Sequence, residues 1–171
     1  MLNPILKIKK EIEKLKLSIC KYTKADYDSF KDMFETCFKQ DYKIELTESQ
    51  IDEICTSITQ QVADNIIYLD LLFLNEIAKG FVCYQIDSPK SDWCEKEGWG
   101  CIRELYISRD CRKKGYGRIL VCYSENELRK NLAYEIYLTS DDTKEFWIKL
   151  GYSDTGEICK KNGSPILEKI K

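Results

Sequence analysis

Apolar residues recur along the chain with two periods, and these periods predict its elements. Ile5, Ile8, Ile12 and Leu15 fall at helical spacing, so residues 4–15 are expected to form a short amphipathic helix. Leu17 and Ile19 alternate with polar neighbours, which predicts a strand to about Tyr22. Thr23, with Asp26 three residues on, signals a helix start. Tyr27, Phe30, Phe34 and Phe38 mark one face of the helix that follows. Thr47-Glu-Ser-Gln50 has the spacing of a capping box, in which hydroxyl and amide satisfy donors that a helix start leaves free. Ile51, Ile54, Cys55, Ile58 and Val62 continue it as an apolar stripe.

A β region follows. Residues 66–74, interrupted by Asp70, and residues 77–86 flank Asn75-Glu76 as a hairpin. Residues 87–100 read as a polar loop carrying Trp93 and Trp99, and residues 101–107 as a strand. A helix is expected from Gly115 to about Lys130, then a strand over 135–139. Asp142 is expected to cap a helix over 143–150, which Gly151 ends. Asn162-Gly163 signals a type I′ hairpin between two last strands. The order α-β-α-α-β-β-β-α-β-α-β-β predicts an α/β fold with a mixed central sheet of about six or seven strands flanked by helices. Hairpins give antiparallel neighbours, and the strand–helix–strand unit over 101–139 gives a parallel pair. An N-terminal helical extension (1–16) precedes one domain (17–171).

Composition narrows the chemistry. The 171 residues are 43% hydrophobic, enough for a core, and 33% charged. No run approaches the roughly 20 apolar residues of a membrane span, and the N-terminus lacks a signal peptide's apolar segment. Nine cysteines without a C-x-x-C pair argue against a disulfide framework and against a zinc site. They are expected to be small buried hydrophobes in a reducing cytoplasm. Histidine is absent, so a general base has to be a carboxylate, tyrosine, cysteine or water. Residues 1–24 carry seven lysines against two glutamates, a net of +5, which leaves −7 on the rest of a chain whose total is −2. The basic start is expected to be a solvated helix face, and the acidic body argues against a nucleic-acid partner.

The most informative stretch runs from Ile107 through Arg112-Lys-Lys-Gly115-Tyr-Gly117-Arg118. A strand ends, a basic glycine-containing turn follows, and a helix begins. The first N–H groups of a helix lack internal partners, and the helix dipole adds positive potential there, so a pyrophosphate fits such a place. Gly115 and Gly117 permit close approach of phosphate oxygens. Arg109, Arg112, Lys113, Lys114 and Arg118 stand against Asp110 alone. The P-loop spacing and the dinucleotide fingerprint are both absent.

These residues resemble the GNAT (GCN5-related) N-acetyltransferase superfamily, whose signature is [RQ]-x-x-G-x-[GA] after a strand. Glu104-Leu-Tyr-Ile107 precedes Arg112-x-x-Gly115-x-Gly117 at that spacing. Ser140, Thr143 and Phe146-Trp-Ile-Lys-Leu-Gly151-Tyr152 resemble the family's second element, as do residues 16–38 and Lys79-Gly80-Phe81.

The resemblance implies acetyl-CoA as co-substrate, no metal, and direct attack by a primary amine on the thioester. It implies that strands 101–107 and 135–139 splay to admit the pantetheine arm near Leu105 and Ile107. Pyrophosphate would lie on Arg112, Lys113, Lys114, Gly115, Tyr116, Gly117 and Arg118, with Ser140, Thr143 and Phe146 completing the cofactor site. Ser140 and Thr143 stand where the family has Asn and Ala, and Trp147 stands where many members have a tyrosine that protonates the thiolate.

Strand alternation puts Arg103 and Glu104 on opposite faces. Glu104, the remaining carboxylate, is the candidate base, and Tyr106 a further catalytic candidate. Trp93 and Trp99 are candidate walls of an acceptor pocket. The acceptor stays open as a small molecule or a peptide, with no membrane partner, and a homodimer stays open too. A CoA-binding sensor and a toxin that acetylates aminoacyl-tRNA are the alternatives.

Overall fold

The computed structural model describes residues 16–140 and 142–170, so the helix expected over 4–15 lies outside the described residues. The elements are β1 (Leu17–Lys21), α1 (Tyr27–Cys37), α2 (Glu48–Ala63), β2 (Tyr68–Leu74), β3 (Ile77–Ile86), β4 (Gly100–Ile107), α3 (Tyr116–Lys130), β5 (Ile136–Thr139), α4 (Lys144–Lys149), β6 (Ser153–Ile158) and β7 (Pro165–Lys169). Seven strands form one mixed sheet in the order β1-β2-β3-β4-β5-β7-β6. The β4–β5 pair is parallel, its crossover filled by α3, and the other pairs are antiparallel.

The two faces of the sheet carry separate cores. Phe30, Phe34, Ile51, Cys55 and Ile58 of α1 and α2 pack on Leu69, Leu71, Phe81, Cys83 and Tyr106. Leu120, Val121 and Leu128 of α3 cover Leu72, Val82, Tyr84, Ile102, Ile136 and Leu138 on the other face. The period-2 pattern of β2 therefore feeds both layers. Asp70, which interrupts its apolar run, is 1% exposed and is held by the Tyr84 hydroxyl at 2.7 Å and Tyr123 at 3.5 Å. Hydrogen bonding is what makes such a buried carboxyl tolerable.

Of the two hairpin turns expected, one forms and one differs. Asn75 and Glu76 both adopt positive φ (49° and 68°), the type I′ geometry, although neither is glycine. At Asn162-Gly163 only Gly163 has positive φ, and six residues separate β6 from β7. Asn162 instead donates its amide to Thr139 Oγ1 at 2.9 Å, and its side-chain oxygen accepts from the Ser164 N–H at 3.0 Å. That local bonding selects a longer loop. The last helix begins one residue later than expected, with Thr143 rather than Asp142 at its N-cap.

Six cysteines, among them Cys37, Cys83 and Cys101, are buried, whereas Cys20 and Cys122 are exposed; all are free thiols. Among the described residues, no helix is long and apolar enough to cross a membrane, and no group of three or more Cys, Asp or Glu could hold a metal ion.

Candidate active site

The basic turn is built from unusual backbone. After β4, a 3₁₀ turn at Arg109–Cys111 leads to Arg112 in extended geometry, then to Lys113 (φ 61°) and Gly115 (φ 88°), both left-handed. Alternation of this kind points successive N–H groups to one side. The first intrahelical bond of α3 runs from the Ile119 N–H to the Gly115 carbonyl at 3.1 Å, so the N–H groups of Tyr116, Gly117 and Arg118 head the helix. The first turn of α3 holds no acidic residue.

The side chains of the turn divide their tasks. Arg112 turns inward: Nε donates to the Ile107 carbonyl at 2.8 Å, and its two Nη atoms grip Asp41 at 3.0 and 2.5 Å. Arg109 donates to the Gln40 carbonyl at 2.8 Å, and Lys114 to the Asp110 carbonyl at 2.8 Å. Asp110 is itself engaged by Lys79 at 2.8 Å. No ion pair among the described residues involves Lys113 or Arg118. Arg112 thus braces the turn, and Lys113 and Arg118 supply its free charge. Tyr116 is half-buried on the α3-side core.

Beside this turn the sheet opens. The parallel pairing of β4 with β5 consists of Gly100 opposite Ile136 and Cys101 opposite Tyr137, and it stops there. Leu105 and Ile107 lie on the part of β4 that has parted from β5, with side chains on the α3 face. Ser140, Thr143 and Phe146 gather across the opening. Ser140 and Thr143 share a hydroxyl hydrogen bond at 2.8 Å. Phe146 faces Gly117. Trp147 is core: it is 6% exposed, packs edge-on to Tyr152 (ring centroids 5.4 Å apart), and donates its indole N–H to Thr143 at 3.2 Å.

On the opposite face of the sheet, a cavity of about 420 Å³ lies beneath α1 and α2. Phe34 and Phe38 form one apolar wall, Glu53, Ser57 and Gln61 of α2 another, and Thr139 and Asn162 stand at the β5 side. Arg103 and Glu104 both line it, which corrects the expectation of opposite faces. The β3–β4 register explains why. Cys83 pairs with Glu104 and Tyr84 with Ile102, so Arg103 is the extra residue of a β-bulge. The alternation slips by one, and two consecutive side chains share a face.

The loop before β4 closes the cavity. Asp87, 1% exposed, accepts from the Tyr137 hydroxyl (2.6 Å), the Glu95 and Lys96 N–H groups (2.8 and 2.9 Å) and Gln85 (2.8 Å). This anchor carries Asp92 and Trp93 to the cavity wall. Trp99 packs instead with Cys101, Tyr137 and Cys159 beneath Lys96. Arg103 donates to Asp92 at 2.8 Å and to Gln85 at 3.1 Å. Burial pushes the Asp92 carboxyl up, but Arg103 and Gln61 hold it below the usual carboxylate range.

Glu104 is half-buried and accepts from the Tyr42 hydroxyl at 2.8 Å. Burial raises its carboxyl above the usual range, against the downward pull of that hydroxyl and of Arg103. A carboxylate raised in this way is a stronger proton acceptor. The cavity presents three carboxylates (Glu53, Asp92 and Glu104) against one guanidinium. Burial lifts the thiols of Cys37 and Cys83 to about 12, so neither is a thiolate at neutral pH. Tyr106 does not line the cavity: it is 4% exposed, stacked on Phe81 at 5.7 Å with Arg112 over its ring, a packing position. Sequence reasoning missed Asp41, Tyr42, Glu53, Gln61 and Asp92. Only the helical stripe around Ile54 and Ile58, which fixes the face of Glu53 and Gln61, carried a signal.

A mixed sheet whose parallel pair parts beside a basic, left-handed turn at a helix start has the architecture of an acyltransferase domain. The profile of the acetyltransferase (GNAT) family matches residues 27–152, and the chain belongs to that family. Solved structures agree in fold. The PaiA N-acetyltransferase of Thermoplasma acidophilum, in complex with coenzyme A, aligns with TM-score 0.70 and 16% identity over 91% of this chain and 99% of that one. A GNAT-family acetyltransferase of Staphylococcus aureus Mu50 gives 0.73 and 12%, over 90% and 98%. The aminoglycoside N-acetyltransferase AAC(6′)-Iy in complex with CoA gives 0.68 and 11%, over 85% and 93%. A search of curated proteins finds no match.

Proposed function

We propose that the protein is an acetyl-CoA-dependent N-acetyltransferase whose acceptor is a primary amine on a cationic molecule. The observation that carries this reading is Glu104, a carboxylate of raised proton affinity in a net-negative cavity beside the parting of β4 and β5. The pyrophosphate of the co-substrate rests on the N–H groups of residues 113–118, with Lys113 and Arg118 as counter-charges. The arm passes along the free edge of β4 at Leu105 and Ile107, towards Ser140, Thr143 and Phe146. An alkyl ammonium has a pKa of about 10 and must lose a proton before it attacks, and Glu104 accepts that proton, directly or through water. The amine nitrogen then bonds to the thioester carbonyl carbon, whose oxygen is held by a backbone N–H near Ile107. The C–S bond breaks, the attacking nitrogen gives up its second proton to water, and the thiolate takes a proton from water, so that the amide and the thiol form and one net proton stays on Glu104.

The cationic acceptor follows from charge. Glu53 and Ser57 line both the cavity and an open groove of about 780 Å³ along α2, which also displays Glu48, and Asp52 in an ion pair with Lys31 at 2.6 Å. A second positive group on the acceptor has carboxylates to meet there. The test is release of CoA thiol from acetyl-CoA with a panel of mono- and polyamines, amino acids and peptides. Amine-dependent release, larger for polyamines than for amino acids, is the expected result. One observation favours a second reading, a CoA-binding sensor: Trp147, buried and bonded to Thr143, has no proton to give a leaving thiolate. Tight acetyl-CoA binding without release would support it.

A further inference from the structure

One turn touches both halves of the site. After α1, residues Phe38–Tyr42 widen into a single π turn, closed by Lys43 in the left-handed region (φ 59°) and by the Ile44 N–H to the Phe38 carbonyl at 3.0 Å. Widened turns of this kind recur at functional sites. Here the widening presents consecutive side chains to the edge of β4. Asp41 holds Arg112, and through it the carbonyl of Ile107. Tyr42, with its ring set edge-on to Phe38 at 5.1 Å, sends its hydroxyl to Glu104 at 2.8 Å.

We propose that Tyr42 is a positioning residue for acetyl transfer, whose hydroxyl aims the Glu104 carboxylate and sets its proton affinity, on a turn braced from the cofactor side by Asp41 and Arg112. The inference rests on the reading of Glu104 as proton acceptor. Glu104 lies among Phe34, Phe38 and Cys83, which give it little to accept from. The other titratable and charged groups around it are Arg103 on its own strand, Cys37 on α1, Cys83 on β3, Glu53 on α2, Asp92 on the loop and Asp41 in the π turn. The two thiols stay neutral, Asp92 is engaged by Arg103, and Asp41 by Arg112. Among the described residues, the side-chain hydrogen bond that Glu104 accepts comes from Tyr42. Burial, and next the Glu104 charge, push the Tyr42 phenol far above its ordinary value, so it remains a donor at neutral pH. A donor to the charged form favours that form, so its loss raises the proton affinity of the carboxyl.

The test is a ¹³C-carboxyl NMR titration of glutamate-labelled protein, with Glu104→Gln assigning the resonance. In Tyr42→Phe the Glu104 titration moves to higher pH by about half a unit to one unit. The acid limb of kcat/KM for transfer to the best amine of the screen moves with it, while KM for acetyl-CoA is unchanged. A Glu104 titration that does not move in Tyr42→Phe overturns the inference and leaves the proton-acceptor reading standing. A titration that moves while the limb stays fixed overturns both.

Discussion

Gly117 lies beside Phe146, where a Cβ would meet a ring carbon at 3.4 Å, an ordinary van der Waals contact, whereas nothing lies within 4 Å of a Cβ on Gly115. The two glycines of one turn therefore differ. Gly115 is needed for its backbone, at φ 88°, whereas Gly117 has no positive φ and a Cβ on it would pack against Phe146. Gly115→Asp should leave a folded domain, losing about 1–2 kcal/mol to left-handed strain, and should lose acetyl-CoA binding because a carboxylate faces the phosphates. Gly117→Asp should lose binding too, with a smaller drop in Tm, because its backbone carries no left-handed strain. Calorimetry with acetyl-CoA, beside thermal melts, separates the two effects. Unchanged affinity in either variant would place the phosphates elsewhere.

Asp87 ties the cavity loop to the sheet. Asp87→Ala removes the acceptor of the Tyr137 hydroxyl, of two backbone N–H groups and of one of the two bonds that the Gln85 amide nitrogen donates, the other going to the Trp93 carbonyl. With hydrogen bonds to a charged group worth about 1.5–3 kcal/mol each, the variant should lose at least about 3 kcal/mol in urea unfolding. A loss below about 1 kcal/mol would show that the loop is not held through Asp87.

Asp70 gives stability a pH dependence. Burial raises its carboxyl, against the hydroxyls of Tyr84 and Tyr123 and the charge of Lys21, with Glu127 adding to the rise. The native state then binds this proton more tightly than the unfolded chain does. Stability from this group is present below the unfolded value of about 3.9 and declines as pH rises through the raised native value. Asp70→Asn should flatten that decline, so the wild-type minus variant difference in Tm should become more negative as pH rises from about 4. A constant difference would contradict it.

Glu53 lines the cavity proposed for the acceptor and lies away from the basic turn. Glu53→Gln should raise KM for a polyamine several-fold, leave the affinity for acetyl-CoA unchanged, and weaken the dependence of KM on salt. Steady-state kinetics at two ionic strengths check this, and an unchanged KM would remove Glu53 from the acceptor site.

How much of this was legible in the sequence differs from place to place. The basic turn was legible because its chemistry is local: a strand end, two glycines and a helix start within a dozen residues. The mixed pairing followed from hairpin signals and one crossover, whereas the place of β7 between β5 and β6 did not. The cavity was not legible. It depends on a bulge at Arg103, which no local residue announces and which reverses the face that alternation assigns. It depends also on a π turn at Phe38–Tyr42 inside what reads as continuous helix, with Phe34 and Phe38 at ordinary helical spacing. Asn162-Gly163 carried the stronger turn signal, yet Asn75-Glu76 formed the type I′ turn, because Leu74 pairs with Ile77 and leaves a two-residue loop whose twist that turn matches.

The central claim is acetyl transfer to an amine with Glu104 taking the proton. The most direct measurement is CoA thiol release from acetyl-CoA with the best amine of the panel, followed across pH for wild type and Glu104→Gln, with mass spectrometry of the acceptor. The account predicts an acceptor heavier by one acetyl group. It also predicts turnover at pH 7 about 10²–10⁴-fold lower in the variant, recovering at high pH where free amine is abundant. Equal turnover of the two proteins at pH 7, or acetyl-CoA binding with no amine-dependent release from either, would contradict it.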